Sequence, residues 1–312
     1  MTEHPVGSNT EWAHMPERSN MLMLRIMTWI SLHLGRRLSR IVLHLIASYF
    51  LLFAPASRRT SSDYLKRALG HPPLWRDIYK HFFTFASTIH DRLFLVNNRF
   101  DLFDFEVHGE DVLQDLIAQG NGLFLFGAHL GSFEVIRSLA VKHTNLSIAM
   151  LMYEENAKKI NAMLTAINPN VSHDIIGLGH INSMIQVSER LDEGSIVGIL
   201  ADRSPDIHSH YPVEILGSDV NLPGGPFRTA ALLKRPVVFM TGLYLGGNRY
   251  AIHFDTLADF SNITRPERSD AVQTAIKRYA ELIDHYCRKA PYNWFNFFDF
   301  WQSIPTKGSD KT

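Results

Sequence analysis

His129 and Glu134 stand five positions apart in the run Gly127-Ala128-His129-Leu130-Gly131-Ser132-Phe133-Glu134. An imidazole oriented by a neighbouring carboxylate is a general base that works near neutral pH. The run follows Leu123–Phe126, an unbroken apolar stretch that reads as a strand buried on both faces. His129 then falls just past the strand, and Glu134 falls in the first turn of a helix expected from about Ser132 to Lys142. Gly127 and Gly131 permit a tight turn, and the helix start offers N–H groups to an anion. A bare His-x4-Glu is more often a strand-capping histidine near a surface glutamate. Its position between a buried strand and a glycine-flanked helix start favours the base–orienter reading.

Other residues offer alternatives. Asp202 follows a further apolar strand, Ser195–Leu200, and is expected at the same sheet edge as His129; a turn-capping aspartate is the competing reading. Asp206-x-His208-x-His210 has metal-ligand residue types, so a metallohydrolase built on Asp202, Asp206, His208 and His210 is the rival enzyme reading. With 16 histidines in the chain, such pairs arise readily by chance, and no metal is expected. There is no Gly-x-Ser-x-Gly, so no nucleophile elbow. Gly177-Leu178-Gly179 lacks the third glycine and the acid of a dinucleotide site. The single cysteine, Cys287, excludes an internal disulfide and a cysteine-based zinc site.

The elements that must position these residues read as one α/β body. The chain has 312 residues, 46% apolar and 20% charged, enough to build a real core and unlike a disordered chain. Lys+Arg and Asp+Glu balance at 31 each, so no global field attracts nucleic acid. Strands are expected at Phe103–His108, Leu123–Phe126, Ser147–Met152, Ile175–Ile176 and Ser195–Leu200. Helices are expected at Leu74–Val96, Glu110–Gln119, Asn156–Ile167, Ile181–Leu191, Phe227–Lys234 and Ala271–Arg288. Pro236–Tyr244 and Tyr250–Asp255 flank Gly246-Gly247-Asn248 as a hairpin. Alternating helices and strands imply a mostly parallel central sheet covered by helices.

The neutral total conceals one asymmetric region. Asn20–Ser62 carries six arginines and no acid, a local charge of +6, on a strongly apolar background. Its two apolar halves, Met21–Leu34 and Ile41–Ala54, are each shorter than the roughly 20 residues that span a bilayer. Apolar helices with arginines suit an anionic membrane surface; a core helix pair is the plainer alternative. The expected organisation is a polar tail (1–19), a membrane-associating helical segment (20–58), a main domain (59–302) and a second polar tail (303–312).

The His129 run resembles the His-x-Gly-x-x-Glu block of the lysophospholipid acyltransferase superfamily, in particular the branch of late acyltransferases of lipid A biosynthesis. The likeness continues at Ile199-Leu200-Ala201-Asp202-Arg203 and at Leu222-Pro223-Gly224-Gly225-Pro226-Phe227. It ends at Ala290–Trp301, which aligns with a closing Pro-x-x-Trp segment. Where lipid A enzymes usually show basic residues after that Trp, this chain shows aromatics and Asn, which counts against lipid A itself as the acceptor.

The resemblance implies a glycerolipid-acyltransferase-like fold and transfer of a fatty acyl group to a hydroxyl of a lipid or glycolipid acceptor. The donor is a thioester of acyl carrier protein or CoA, with no further cofactor. His129 is then the base and Glu134 its orienter. Donors at Gly131 and Ser132, or Arg203, are implied for the oxyanion. Asp202, Gly225 and Arg228 are implied for substrate binding, Arg203 and Arg228 as phosphate holders. The acid-free, +6 apolar stretch Asn20–Ser62 is expected to attach the protein to the cytoplasmic face of the inner membrane. A non-catalytic lipid-binding or assembly protein on the same scaffold is the second alternative.

Overall fold

The computed structural model describes residues 21–136, 148–168, 174–178, 181–204 and 210–301. Its first half contains α1 (Met21–Phe53), α2 (Pro55–Leu69), α3 (Trp75–Val96), β1 (Asp104–His108), α4 (Glu110–Ala118), β2 (Leu123–Gly127) and β3 (Ile148–Tyr153). Then come α5 (Glu154–Ile167), β4 (Ile175–Leu178), α6 (Ile181–Asp192), β5 (Ile196–Leu200) and the strands β6 (His210–Ile215) and β7 (Ser218–Pro223). The chain closes with α7 (Gly225–Leu232), β8 (Pro236–Gly246), β9 (Arg249–Asp259) and α8 (Arg268–Lys289). The expected helix after Ser132 is described only at its start, residues 134–136. Both expected polar tails, 1–19 and 303–312, lie outside the described residues, as does Asn20 at the start of the basic apolar stretch.

Seven strands form one sheet in the order β1-β9-β8-β2-β5-β3-β4. Every neighbouring pair is parallel except the β8–β9 hairpin. The α/β class with a mostly parallel, helix-covered sheet is therefore the fold that forms. β2 sits near the centre with all its residues buried, which is why its sequence shows no polar alternation. Successive side chains point to opposite faces. Phe124 and Phe126 pack with Phe227 of α7 and Tyr279 of α8, while Leu123 and Leu125 pack with Leu93 and Phe94 of α3. Each such fully buried side chain contributes about 1.5–3 kcal/mol.

Two elements were not anticipated. β6 and β7 make a separate antiparallel pair, and α2 extends across the expected boundary at residue 58, burying Tyr64 and Leu65 in the main core.

α1 is broken at Gly35, whose φ of 77° no helix accommodates. Beyond the break the helix has two faces. Leu43 and Ala47 are buried, and Ala47 and Phe50 pack towards Phe82 of α3. Leu38, Ile41, Leu45, Tyr49 and Leu52, spaced by three and four, are 47–70% exposed. Among the described residues no single helix is long and apolar enough to cross a membrane. Only Gly35–Phe53 and Pro55–Leu69 taken together reach that length and composition, with a 95° bend between them.

Candidate active site

Strand register builds the site. β2 and β5 are parallel with Gly127 opposite Leu200, so two residues further along each strand His129 meets Asp202 at the carboxyl edge of the sheet. The His129 backbone N–H donates to Asp202 Oδ2 at 3.1 Å, and its ring Nδ1 lies 2.8 Å from Oδ1. The carboxylate accepts, so Nδ1 carries the hydrogen and Nε2 keeps a lone pair. Asn296 donates from Nδ2 to Asp202 Oδ2 at 3.1 Å. The Asp202 side chain is wholly enclosed, whereas that of His129 is 32% exposed. An imidazole with one nitrogen tied to a buried carboxylate and its face open to the surface can exchange a proton with a bound molecule.

Burial and charge set both members of the pair, and both are displaced downward. Burial alone would raise Asp202, but the charge and hydrogen bond of His129, with Arg203, hold it well below the usual carboxylate range. Burial lowers the basicity of His129, and Arg203 lowers it too; Asp202 works against both, and Arg92 adds to the lowering. The net displacement of His129 is downward, so the ring is neutral at pH 7.

The turn carrying His129 is clamped from two sides. Its carbonyl accepts the Phe295 N–H at 2.7 Å, and Leu130 bridges Trp294. Gly131 N–H donates to Asn293 O at 2.7 Å, and Ser132 N–H donates to Gly242 O at 2.8 Å. Gly131 has φ of 77°, and a Cβ there would stand 2.1 Å from the Gly242 carbonyl oxygen; glycine is the residue that fits. Both backbone amides are committed to this clamp, so the expected oxyanion role of Gly131 and Ser132 does not rest on their N–H groups.

Residues 11–303 match the family of bacterial lipid A biosynthesis acyltransferases. The chain belongs to that family. A comparison with curated proteins found no match. Lipid A biosynthesis acyltransferases act on lipid acceptors, so the His129–Asp202 edge belongs to a protein of an acyltransferase family.

Within this lipid A acyltransferase fold, Glu134 does not sit on His129 Nδ1. The turn after Gly131 carries it to α3, where its Oε1 lies 3.7 Å from Arg92 Nε, with the Glu134 side chain buried. The carboxylate bonded to His129 Nδ1 is thus Asp202 and not the expected Glu134, since parallel register delivers Asp202 opposite His129. Arg203 stays at the site: its guanidinium lies 5.1 Å from the Phe298 ring centre, and burial lowers it to about 10 against the pull of Asp202. Gly225 and Arg228 are exposed on α7, whose Phe227 packs on β2. Among the described residues neither is joined to His129 or Asp202 by a hydrogen bond or ion pair.

The rival metal reading loses Asp202, whose oxygens are engaged by His129 and Asn296. Asp206 and His208 lie outside the described residues, and His210 begins β6. Among the described residues no three His, Cys, Asp or Glu are grouped to hold a metal. Sequence reasoning missed Asn296 and Arg92. Asn296 had a weak signal, as the polar residue two places after the closing Trp294; Arg92 had none.

Proposed function

We propose that this protein is a membrane-associated acyltransferase that moves a fatty acyl group from a thioester, of acyl carrier protein or CoA, to a hydroxyl of a lipid or glycolipid acceptor. The observation that carries the reading is the His129–Asp202–Asn296 chain, which fixes the tautomer and leaves Nε2 as the base. His129 Nε2 takes the acceptor proton while the hydroxyl oxygen forms a bond to the thioester carbonyl carbon. The oxyanion develops beside Arg203, the charged donor that follows Asp202 directly in the chain. Collapse breaks the C–S bond, and the thiolate leaves with the proton from His129. Asp202 stabilises the imidazolium in between without itself taking the proton.

Direct transfer also suits the only thiol of the chain. Cys287 is fully buried, and burial pushes it far above the range in which a thiolate forms. The exposed stripe of α1 and the acid-free charge of residues 20–62 support attachment to the cytoplasmic face of the inner membrane, where acyl thioesters are made. The test is transfer of labelled acyl groups from acyl carrier protein or CoA to extracted lipid by the purified protein. His129→Ala should abolish transfer in a protein that still folds. Equal transfer by the variant would leave the non-catalytic lipid-binding reading in its place.

A further inference from the structure

An open cavity lies away from His129, at the break in α1. It has a volume of about 540 Å³ and is lined by Arg36, Arg37 and Arg40 of α1, by Asp101 and Leu102, and by the β8–β9 turn at Gly247. It forms where α1 breaks: the non-helical Gly35 lets the chain restart with Arg36 turned inward.

The charges around it do not cancel. Arg36 is neutralised by the buried Asp91, with both nitrogen–oxygen contacts at 2.8 Å. Asp101 is paired with Arg99 at 3.1 Å. Among the described residues no carboxylate pairs with Arg37 or Arg40. Arg40 donates from Nη2 to the neutral Tyr244 hydroxyl at 2.7 Å and leaves Nη1 buried without a hydrogen-bond partner. A buried guanidinium nitrogen without an acceptor is costly unless a ligand supplies one. The groove therefore holds the positive charges of Arg37 and Arg40 with no carboxylate against them among the described residues, the complement of a phosphate group.

Its neighbours say where that phosphate comes from. Leu38 and Ile41, interleaved with Arg37 and Arg40 on the same turns, are 57% and 63% exposed. Leu45, Tyr49 and Leu52 continue the apolar stripe along the helix. A helix lying in a bilayer surface places such a stripe among acyl chains and the adjacent arginines at the level of the headgroup phosphates. A soluble phosphate would leave the stripe unused. We infer that the groove of Arg36, Arg37 and Arg40 is a headgroup site, binding the phosphate of an anionic membrane lipid while the apolar stripe of α1 enters the same leaflet. The inference rests on the membrane attachment proposed above.

Flotation of the full-length protein with phosphatidylcholine vesicles, with and without phosphatidylglycerol, tests it. Binding should be about tenfold stronger with phosphatidylglycerol, and Arg37→Gln/Arg40→Gln should remove that gain while leaving weak binding to phosphatidylcholine. Arg37→Gln alone, at an exposed position, should remove part of the gain and guards against misfolding of the double variant. Ile41→Asp/Leu45→Asp should weaken binding to both vesicle types. Flotation with neither vesicle type by the wild type would sink the membrane reading itself. Equal flotation by wild type and arginine variants on phosphatidylglycerol would overturn the headgroup site and leave attachment standing. Millimolar inorganic phosphate should not release bound protein; release would assign the groove to soluble phosphate. Loss of saturation by acyl carrier protein in the arginine variants, with vesicle binding intact, would assign it to the donor and overturn the inference.

Discussion

Two histidines flank the Leu130–Trp294 bridge, and they have opposite fates. His129 donates Nδ1–H to a carboxylate and remains 32% exposed. His81, on α3, is fully buried, with Nε2 at 2.8 Å from the Trp294 carbonyl and Nδ1 at 2.8 Å from Ser61 Oγ. A carbonyl only accepts, so His81 carries its hydrogen on Nε2 and accepts the Ser61 hydroxyl on Nδ1. Both of its nitrogens are used and no charge faces it, so burial drives its pKa down to about 4. Burial also lowers His129, but there Asp202 stabilises the charged form that a base must pass through. A histidine becomes a catalyst here by having one partner that tolerates its proton and one nitrogen left unused.

Removing each histidine separates these roles most sharply. His129→Ala should lower kcat by about 10⁴, the upper range for a lost general base, with little change in the melting temperature. Asp202→Asn should lower kcat by roughly 10³, because an amide cannot stabilise the imidazolium and can select the wrong tautomer. His81→Ala should do the reverse. It leaves Ser61 Oγ and the Trp294 carbonyl without their partner and opens a cavity, so stability should fall by about 3 kcal/mol in urea titrations. Activity per folded molecule should change less than tenfold. If His81→Ala cost more turnover than Asp202→Asn, the division between the two histidines would be wrong.

Acid should expose the same contrast without mutation. Below pH 6.5 an unfolded His81 takes up a proton, whereas the folded one stays neutral until about pH 4. Stability should therefore fall by up to about 3 kcal/mol across that window, and His81→Phe should flatten the slope. Smaller still is the expected effect of Asn296→Ala. It removes one of the hydrogen bonds on Asp202 Oδ2, and roughly tenfold in kcat with unchanged KM is the mark of a positioning residue.

Much of this arrangement was legible from residue order. The apolar runs at 123–126 and 195–200 marked buried parallel strands, and His129 and Asp202 each fall two places past the paired residues Gly127 and Leu200. That placed His129 and Asp202 at one edge. Local spacing nevertheless favoured Glu134 as the orienter, because five residues along a chain look closer than 73. A parallel neighbour brings Asp202 nearer than the chain does, and strand adjacency is a tertiary fact that no single segment carries. Asn296 and Arg92 arrive from the closing segment and from α3, both remote from the β2 turn in sequence, so nothing local announces them. The two faces of α1 were partly legible: its arginines and apolar residues were plain, but which ones faced α3 depended on the break at Gly35.

The finest test concerns sign. The acid limb of kcat/KM follows the free-enzyme pKa of His129, provided chemistry limits the rate. Burial and Arg203 depress that pKa, so the limb should lie below pH 6.5. Asp202 raises it, so Asp202→Asn should move the limb to lower pH even as the plateau drops. Arg92 lowers it, so Arg92→Gln should move the limb to higher pH, by less than about one pH unit because Arg92 is the weaker neighbour. The two shifts are opposite in direction, and raising the salt concentration should shrink the Arg92 shift more than the Asp202 shift, since the Arg92 side chain is 22% exposed and Asp202 is enclosed. Rate profiles of the wild type and both variants decide the matter. Shifts of the same sign, or a limb that moves with Glu134→Gln and ignores Asp202→Asn, would return the orienting role to Glu134.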